Sequence, residues 1–235
     1  MNSAFVIPCK FDPNRPAVFD AISSIKLHCP KSEVYIVDSN SQDKSYLQIC
    51  RELGAVTPDW HNENYVSGAT WLAYKNTNHE FYYTIHDSCR VLENLEDLES
   101  REAVTLRYFR SWHGVGWSPN RSESSDNGHI NQEQFEWAES CMIDSKISAI
   151  QGEKFNAVLG SILFAKRETL KRLEELGLSK ILPSTKDQDQ TLERVMGIAL
   201  KRIGIDAKEV SLQGYCYDYG YRPEYRVRKE FLGRV

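Results

Sequence analysis

Three short polar runs stand directly after stretches rich in β-branched and aromatic residues: Pro8-Cys9-Lys10, Asp38-Ser39-Asn40-Ser41-Gln42-Asp43 and His86-Asp87-Ser88-Cys89. Ligands of open α/β sheets bind beyond the carboxyl ends of the strands, so these runs predict one edge where carboxylates, hydroxyls and a lysine meet a ligand. Farther along, Asp187, Asp189 and Glu193 stand near the start of a segment with helical spacing. A carboxylate at a helix N-terminus is favoured in its ionised form, which suits a general base that takes a proton from a bound hydroxyl. The plainer role of Asp187 and Asp189 is to cap the helix, and the choice of base among the three acids stays open.

The elements that must carry these runs follow from periodicity. Residues 4–8, 33–37 and 80–85 are short, apolar and poor in charge, and each reads as a strand. Residues 17–27 space Val18, Ile22, Ile25 and Leu27 as a helix face, and 43–53 turn Tyr46, Leu47, Ile49, Cys50 and Leu53 inward with Gly54 as the C-cap. Residues 55–57 predict a short third strand, and 67–77 a helix with Trp71, Leu72 and Tyr74. This alternation predicts an α/β fold with a mostly parallel central sheet flanked by helices. Later, 157–165 predict one buried strand, 168–176 a helix closed by Gly177, and 191–203 a helix closed by Gly204. The stretch 112–136 loses periodicity and fills with Ser, Asn, Gly and Glu, the composition of a polar loop that serves as a lid or stays disordered. With no repeat and no composition break, a single domain over 1–235 is expected, its halves being 1–100 and 101–235.

Composition narrows the function classes. The 29 basic and 33 acidic residues leave a formal charge of −4, so no overall field holds a polyanion and nucleic acid is not expected as a partner. Every apolar run is broken by charge or Pro well short of the roughly 20 residues a membrane helix needs. The first residues lack a basic region and read as a strand rather than a signal peptide. The 6 cysteines are scattered with no CxxC pair, which predicts reduced thiols and a cytoplasmic location.

Ile36-Val37-Asp38-Ser39-Asn40-Ser41-Gln42-Asp43 resembles the nucleotide-binding turn of GT-A fold nucleotide-sugar glycosyltransferases, in which an acid after the second strand contacts the base or ribose. Pro8 after the first strand, and Gly68-Ala69 opening a helix ahead of the acidic motif, suit the same family. His86-Asp87-Ser88 occupies the place of its DxD motif, with Ser88 or Cys89 where a second acid would stand. Residues 191–205 resemble the family helix that opens on Glu-Asp and closes on Gly-Ile, with Glu193-Arg194 in place of Glu-Asp. Gly160-Ser161 resembles its small-residue turn, although a glycine there also marks a simple bulge.

The resemblance implies a single GT-A-like domain that moves a sugar from a nucleotide-diphosphate sugar to a hydroxyl of a saccharide, glycolipid or glycoprotein, as in polysaccharide biosynthesis. It implies donor binding by Pro8, Cys9, Lys10, Asp38, Asn40, Ser41, Asp43, Gly68, His86, Asp87 and Ser88. Acceptor binding would fall to Trp112, Trp117, Gly160 and Ser161, since aromatic rings stack on the apolar face of a sugar. Catalysis, with inversion, would fall to Asp189, Glu193 or Asp187. Asp87 would ligate a divalent cation, Mn²⁺ or Mg²⁺, bridging the diphosphate; the alternative is a metal-independent enzyme that uses basic side chains. The tyrosine-rich, basic C-terminal tail, with Arg222, Arg226, Arg228 and Lys229, would fold over the diphosphate or attach to an acidic membrane surface. Two other readings stay open: a nucleotidyltransferase, disfavoured by the lack of a Gly-rich, Lys-containing loop after the first strand, and a catalytically silent sugar-nucleotide or glycan-binding module.

Overall fold

Apolar β-rich runs joined by amphipathic segments build the elements of a computed structural model that describes residues 2–112, 132–147, 154–215 and 225–229. In chain order these are β1 (Ser3–Cys9), α1 (Ala17–His28), β2 (Glu33–Asp38), α2 (Tyr46–Glu52), α3 (Tyr65–Asn76), β3 (Phe81–Thr84), β4 (Cys89–Val91) and β5 (Ala103–Thr105). There follow β6 (Tyr108–Trp112), α4 (Gln132–Asp144), β7 (Lys154–Val158), β8 (Leu163–Lys166), α5 (Arg167–Glu175), α6 (Lys186–Arg202) and β9 (Val227–Lys229). They fall into two compact units, one of residues 2–102, 164–167 and 225–229, the other of 103–112, 132–147, 154–163 and 168–215. Residues 164–167 and 225–229 thus return to the first unit.

In the first unit β1 lies between β2 and β3 and runs parallel to both, with Val6 opposite Tyr35 on one side and Thr84 on the other. Ala4, Phe5, Val6 and Ile7 are fully buried, the continuous apolar run of a parallel strand covered on both faces. β8 adds on the far side of β3, antiparallel, with Tyr82 opposite Ala165. The sheet is therefore mostly parallel and flanked by helices, as the alternation of elements predicts. Phe5 stacks on Tyr83 with ring centroids 4.4 Å apart. The third strand expected at 55–57 is a single parallel bridge: Val56 N donates to Val34 O at 2.7 Å and Val56 O accepts from Ile36 N at 2.9 Å. Arg167 donates to Tyr74 O at 3.0 Å and Thr77 O at 2.9 Å, satisfying carbonyls that the end of α3 leaves without helical partners.

Local chemistry moved several boundaries. On α1, Val18, Ile22 and Ile25 are buried as spaced, but Leu27 is 74% exposed. α2 begins at Tyr46 rather than 43, because the Asp43 carboxylate accepts from Ser45 N at 2.8 Å and spends these residues on a turn. Only Tyr46 and Cys50 of its expected inward face are buried, and Ile49 and Leu53 lie at the surface. The one strand expected over 157–165 is two, β7 and β8, split by a 3-10 turn at Leu159–Ser161 in which Gly160 (φ 66°) and Ser161 (φ 53°) both take left-handed backbone. Of the polar stretch 112–136, residues 132–136 belong to α4, and 113–131 lie outside the described residues. The strands β4, β5 and β9 are too short to leave a periodic signal.

In the second unit β6 pairs antiparallel with β7, Tyr108 opposite Val158. α6 starts at Lys186, five residues before the expected position, and its N-cap is Thr185, whose hydroxyl accepts from Gln188 N at 3.2 Å. Asp187 and Asp189 therefore lie inside the first turn rather than at the cap. α6 approaches β7 through Gly197, where a Cβ would collide with Asn156 O and stand 2.8 Å from Ala157 Cα. Both obstacles are backbone and cannot rotate away. Gly197→Ala is expected to cost about 1–3 kcal/mol by overpacking, read as a lower denaturation midpoint; an unchanged midpoint would show that α6 can shift off β7.

Candidate functional site

In the parallel sheet of the first unit the ends of β1, β2 and β3 come out on one edge, and side chains tie the three following turns together. Cys9, buried at the end of β1, lies beside the carboxylate of Asp87 after β3, and each shifts the other's pKa. The Tyr46 hydroxyl donates to Asp38 Oδ1 at 2.8 Å and stands beside the Cys9 side chain. Ser41, buried in the turn after β2, accepts from Phe11 N at 2.8 Å through its Oγ. Asn62, almost fully buried, donates to Ser39 Oγ at 2.9 Å and to Tyr65 O at 3.1 Å.

The residues expected to bind the donor divide into two groups. Cys9, Asp38, Ser41, His86, Asp87 and Ser88 sit in or beside this cluster. Asp38 is also approached by Lys44 at 3.7 Å. Pro8 is half-buried in β1, whereas Lys10 and Asn40 are exposed, Asn40 in left-handed backbone with φ 60°. Gly68, inside α3, gives the Asn62 side chain room, since a Cβ there would collide with Asn62 Oδ1. Asp43 is exposed, and its hydrogen bonds from Ser45 hold its carboxyl below the usual carboxylate range. Arg226 is engaged on the surface: Nη1 donates to Asp97 Oδ2 at 2.9 Å, and Glu93 lies 3.8 Å from Nε. Arg222 lies outside the described residues. Tyr46 and Asn62 were missed as site-forming groups. Tyr46 is legible only as an apolar helix position, and Asn62 lies in a stretch without periodicity.

The turn at Asp87 is flanked by β9, whose antiparallel register with β4 sets Lys229 opposite Cys89. Lys229 Nζ stands 3.5 Å from His86 Nδ1. Burial pushes the Asp87 carboxyl above its ordinary value, opposed by the Cys9 side chain, the Ser88 backbone and the charge of Lys229. Asp87 is the one carboxylate of this turn, beside a thiol, an imidazole and an ammonium, whereas a hard divalent cation takes six or more oxygen ligands and would have to draw the rest from a diphosphate and water. Among the described residues no group of three or more His, Cys, Asp or Glu side chains is placed to hold a metal ion.

In the second unit Glu193 on α6 accepts from Gly160 N at 2.6 Å. Desolvation raises its carboxyl to about 7, against the opposing effects of that hydrogen bond and of Arg194. Ser161, next to Gly160, is 1% exposed, and its Oγ has no hydrogen-bond partner among the described residues. Left-handed backbone at a serine together with a buried hydroxyl is the kind of local cost that accompanies a ligand site. Asp189 is buried and held by Lys186 Nζ at 2.6 Å, while Asp187 is exposed. Trp112 closes β6, and Trp117 lies outside the described residues. The described cysteines, Cys9, Cys29, Cys50, Cys89 and Cys141, are free thiols, and no described helix is long and apolar enough to cross a membrane.

No protein-family model and no curated protein matches the chain. Among solved structures, S. aureus TarS 1–349 is 12% identical over 84% of this chain and 56% of its own, with a TM-score of 0.43. A second structure of S. aureus TarS is also 12% identical over 84% of this chain, with a TM-score of 0.45. The chain thus spans about half of the first structure and 34% of the second. The structure of CMP:2-keto-3-deoxy-manno-octonic acid synthetase complexed with CTP is 12% identical over 88% of both chains, with a TM-score of 0.47. At these scores the likenesses establish neither the fold nor an activity.

The state of Asp87 is testable through stability. A carboxyl that holds its proton more tightly folded than unfolded favours the fold below its unfolded value and loses that contribution as pH rises through the folded one. Asp87→Asn removes the buried charge, so at about pH 7 the variant should melt above wild type, and the gap should shrink towards about pH 4. Thermal melts across that range check it; a variant less stable at neutral pH would mean the ionised carboxylate is well compensated.

Proposed function

We propose that the chain is a nucleotide-sugar-dependent glycosyltransferase that transfers a sugar, with inversion, to a hydroxyl of a saccharide or glycosylated acceptor. The observation that carries this reading is the joining of the three post-strand turns by Cys9, Asp87, Tyr46, Asp38 and Ser41 at the carboxyl edge of a parallel sheet, where such sheets bind nucleotides. Donor recognition falls to these turns, with the Asp38 turn on the nucleoside side and the Asp87 turn on the diphosphate side. The resemblance of the Asp38 turn to the nucleotide-binding turn of GT-A fold enzymes supports the same assignment.

Acceptor activation falls to Glu193. A general base works best with a pKa near the working pH, and Glu193, raised to about 7, fits better than exposed Asp187 or Asp189 with its lysine partner. In the proposed reaction a carboxylate base takes the acceptor hydroxyl proton as that oxygen bonds to the anomeric carbon. The bond from that carbon to the diphosphate oxygen breaks, and the electron pair leaves with the nucleoside diphosphate. The Gly160 N–H that binds Glu193 orients its carboxylate, and Ser161 Oγ offers the acceptor a buried hydroxyl.

Binding is tested first by melting the protein with nucleoside diphosphates and their sugars, since a ligand of the native state raises the midpoint. At least one nucleotide sugar should give a shift and be turned over; no shift across the panel would sink the reading, and a shift without transfer or hydrolysis would leave a binding module. Turnover should then rise with pH through about 7 as Glu193 loses its proton. Glu193→Gln should lower kcat by roughly 10²–10⁴-fold while leaving donor affinity within a few fold. A full rate in that variant would remove the base from α6.

A further inference from the structure

We propose that the positive charge that holds the donor's diphosphate is Lys229, carried on the C-terminal strand β9, and that this site binds a diphosphate without a divalent cation. The proposal deepens the reading above and rests on it for the identity of the donor.

Backbone geometry carries the argument first. β9 pairs antiparallel with β4, Val91 opposite Val227 and Cys89 opposite Lys229, so the ammonium is delivered to the turn at His86–Ser88 by a strand register rather than by a loose tail. Leu92 N donates to Arg226 O at 2.8 Å and continues the pairing by one step. The strand is anchored by its other side chains: Val227 is fully buried, Tyr225 is 7% exposed, and Arg226 is forked onto Asp97. The Arg226 guanidinium is thereby committed to the surface, and Lys229, three residues on, is the cation at the Asp87 turn, with Nζ 3.5 Å from His86 Nδ1.

The chemistry of the turn points the same way. Mn²⁺ or Mg²⁺ on a diphosphate takes one or two ionised carboxylates from the protein beside phosphate oxygens and water, whereas the one acid of this turn, Asp87, lies beside the Cys9 thiol, a soft group, and an ammonium that would repel a dication. A diphosphate has the opposite needs. Its oxygens accept from N–H donors, and a lysine binds phosphate as a point charge with three of them. Lys10, exposed in the turn after Cys9, adds a second cation on the same edge.

Calorimetric titration of the whole chain with inorganic pyrophosphate, in EDTA and then with Mg²⁺, tests the proposal. Wild type should bind in EDTA, and Mg²⁺ should not tighten the binding. Lys229→Met should weaken it at least about tenfold, as expected for loss of a charge-assisted contact, while Lys229→Arg should stay within about threefold. Matching melting curves of the two variants would show that β9 is in place in both, and if Lys229→Met melts early, a Lys229→Gln variant is titrated instead. Binding that disappears in EDTA and returns with Mg²⁺, or a folded Lys229→Met or Lys229→Gln that binds like wild type, would overturn the proposal. So would a protein whose melting point rises with a nucleotide sugar but which binds no pyrophosphate, and there the glycosyltransferase reading survives. Lysine-dependent pyrophosphate binding in a protein that neither binds nor turns over any nucleotide sugar sinks that reading and leaves the anion site standing.

Discussion

Parallel strands bring all their carboxyl ends to one edge, and the polar groups there must find partners or pay for their burial. In the first unit the buried Cys9 side chain beside the Asp87 carboxylate brings the ends of β1 and β3 together, and burial there raises the Asp87 carboxyl in spite of its neighbours. A carboxylate held away from water costs free energy unless donors surround it. The sequence supplies a thiol from one side, a backbone N–H from Ser88 within the turn, and the ammonium of Lys229 from β9. Tyr46 then links Cys9 to Asp38, so the β2 turn is drawn into the same network.

The network explains why side chains that look redundant in the sequence are placed as they are. Asn62 reaches Ser39 because Gly68 leaves its side chain room, and Ser41 is spent on Phe11 N, joining the turn after β1 to the turn after β2. Groups so occupied hold the turns in place. In the second unit the economy is different. The Gly160 hydrogen bond and the charges of Arg194 and Lys186 do not cancel the desolvation of Glu193, and the neighbouring Ser161 hydroxyl is buried in left-handed backbone. Local costs left standing in that way are common where a chain keeps reactive groups ready.

Much of the fold was legible in the sequence. The alternation of apolar strands with helix-spaced segments reported a mostly parallel α/β sheet, because burial on both faces forces continuous apolar runs such as Ala4 to Ile7. The same rule put Asp38 and Asp87 at strand ends and hence on one edge. Periodicity also marked the helix that carries Asp187, Asp189 and Glu193, though not its first turn, since Lys186 to Gln190 is polar and Thr185 is a cap with no apolar partner to announce it.

Other features depended on contacts between residues distant in the chain. In the run from Ala157 to Ala165 Gly160 reads equally as a bulge within one strand or a turn between two, and it is a turn because Gly160 and Ser161 both take positive φ. Of three acids on one helix, Glu193 is singled out by desolvation and by the N–H of Gly160, 33 residues away. Of the basic residues near the C-terminus, the strand register chose Lys229 for the Asp87 turn and left Arg226 on Asp97. Residue type and spacing determined which elements form and which edge gathers the acids. The charge state and partner of each acid were decided by tertiary structure, because both depend on how far water is excluded and on which groups other parts of the chain bring within reach.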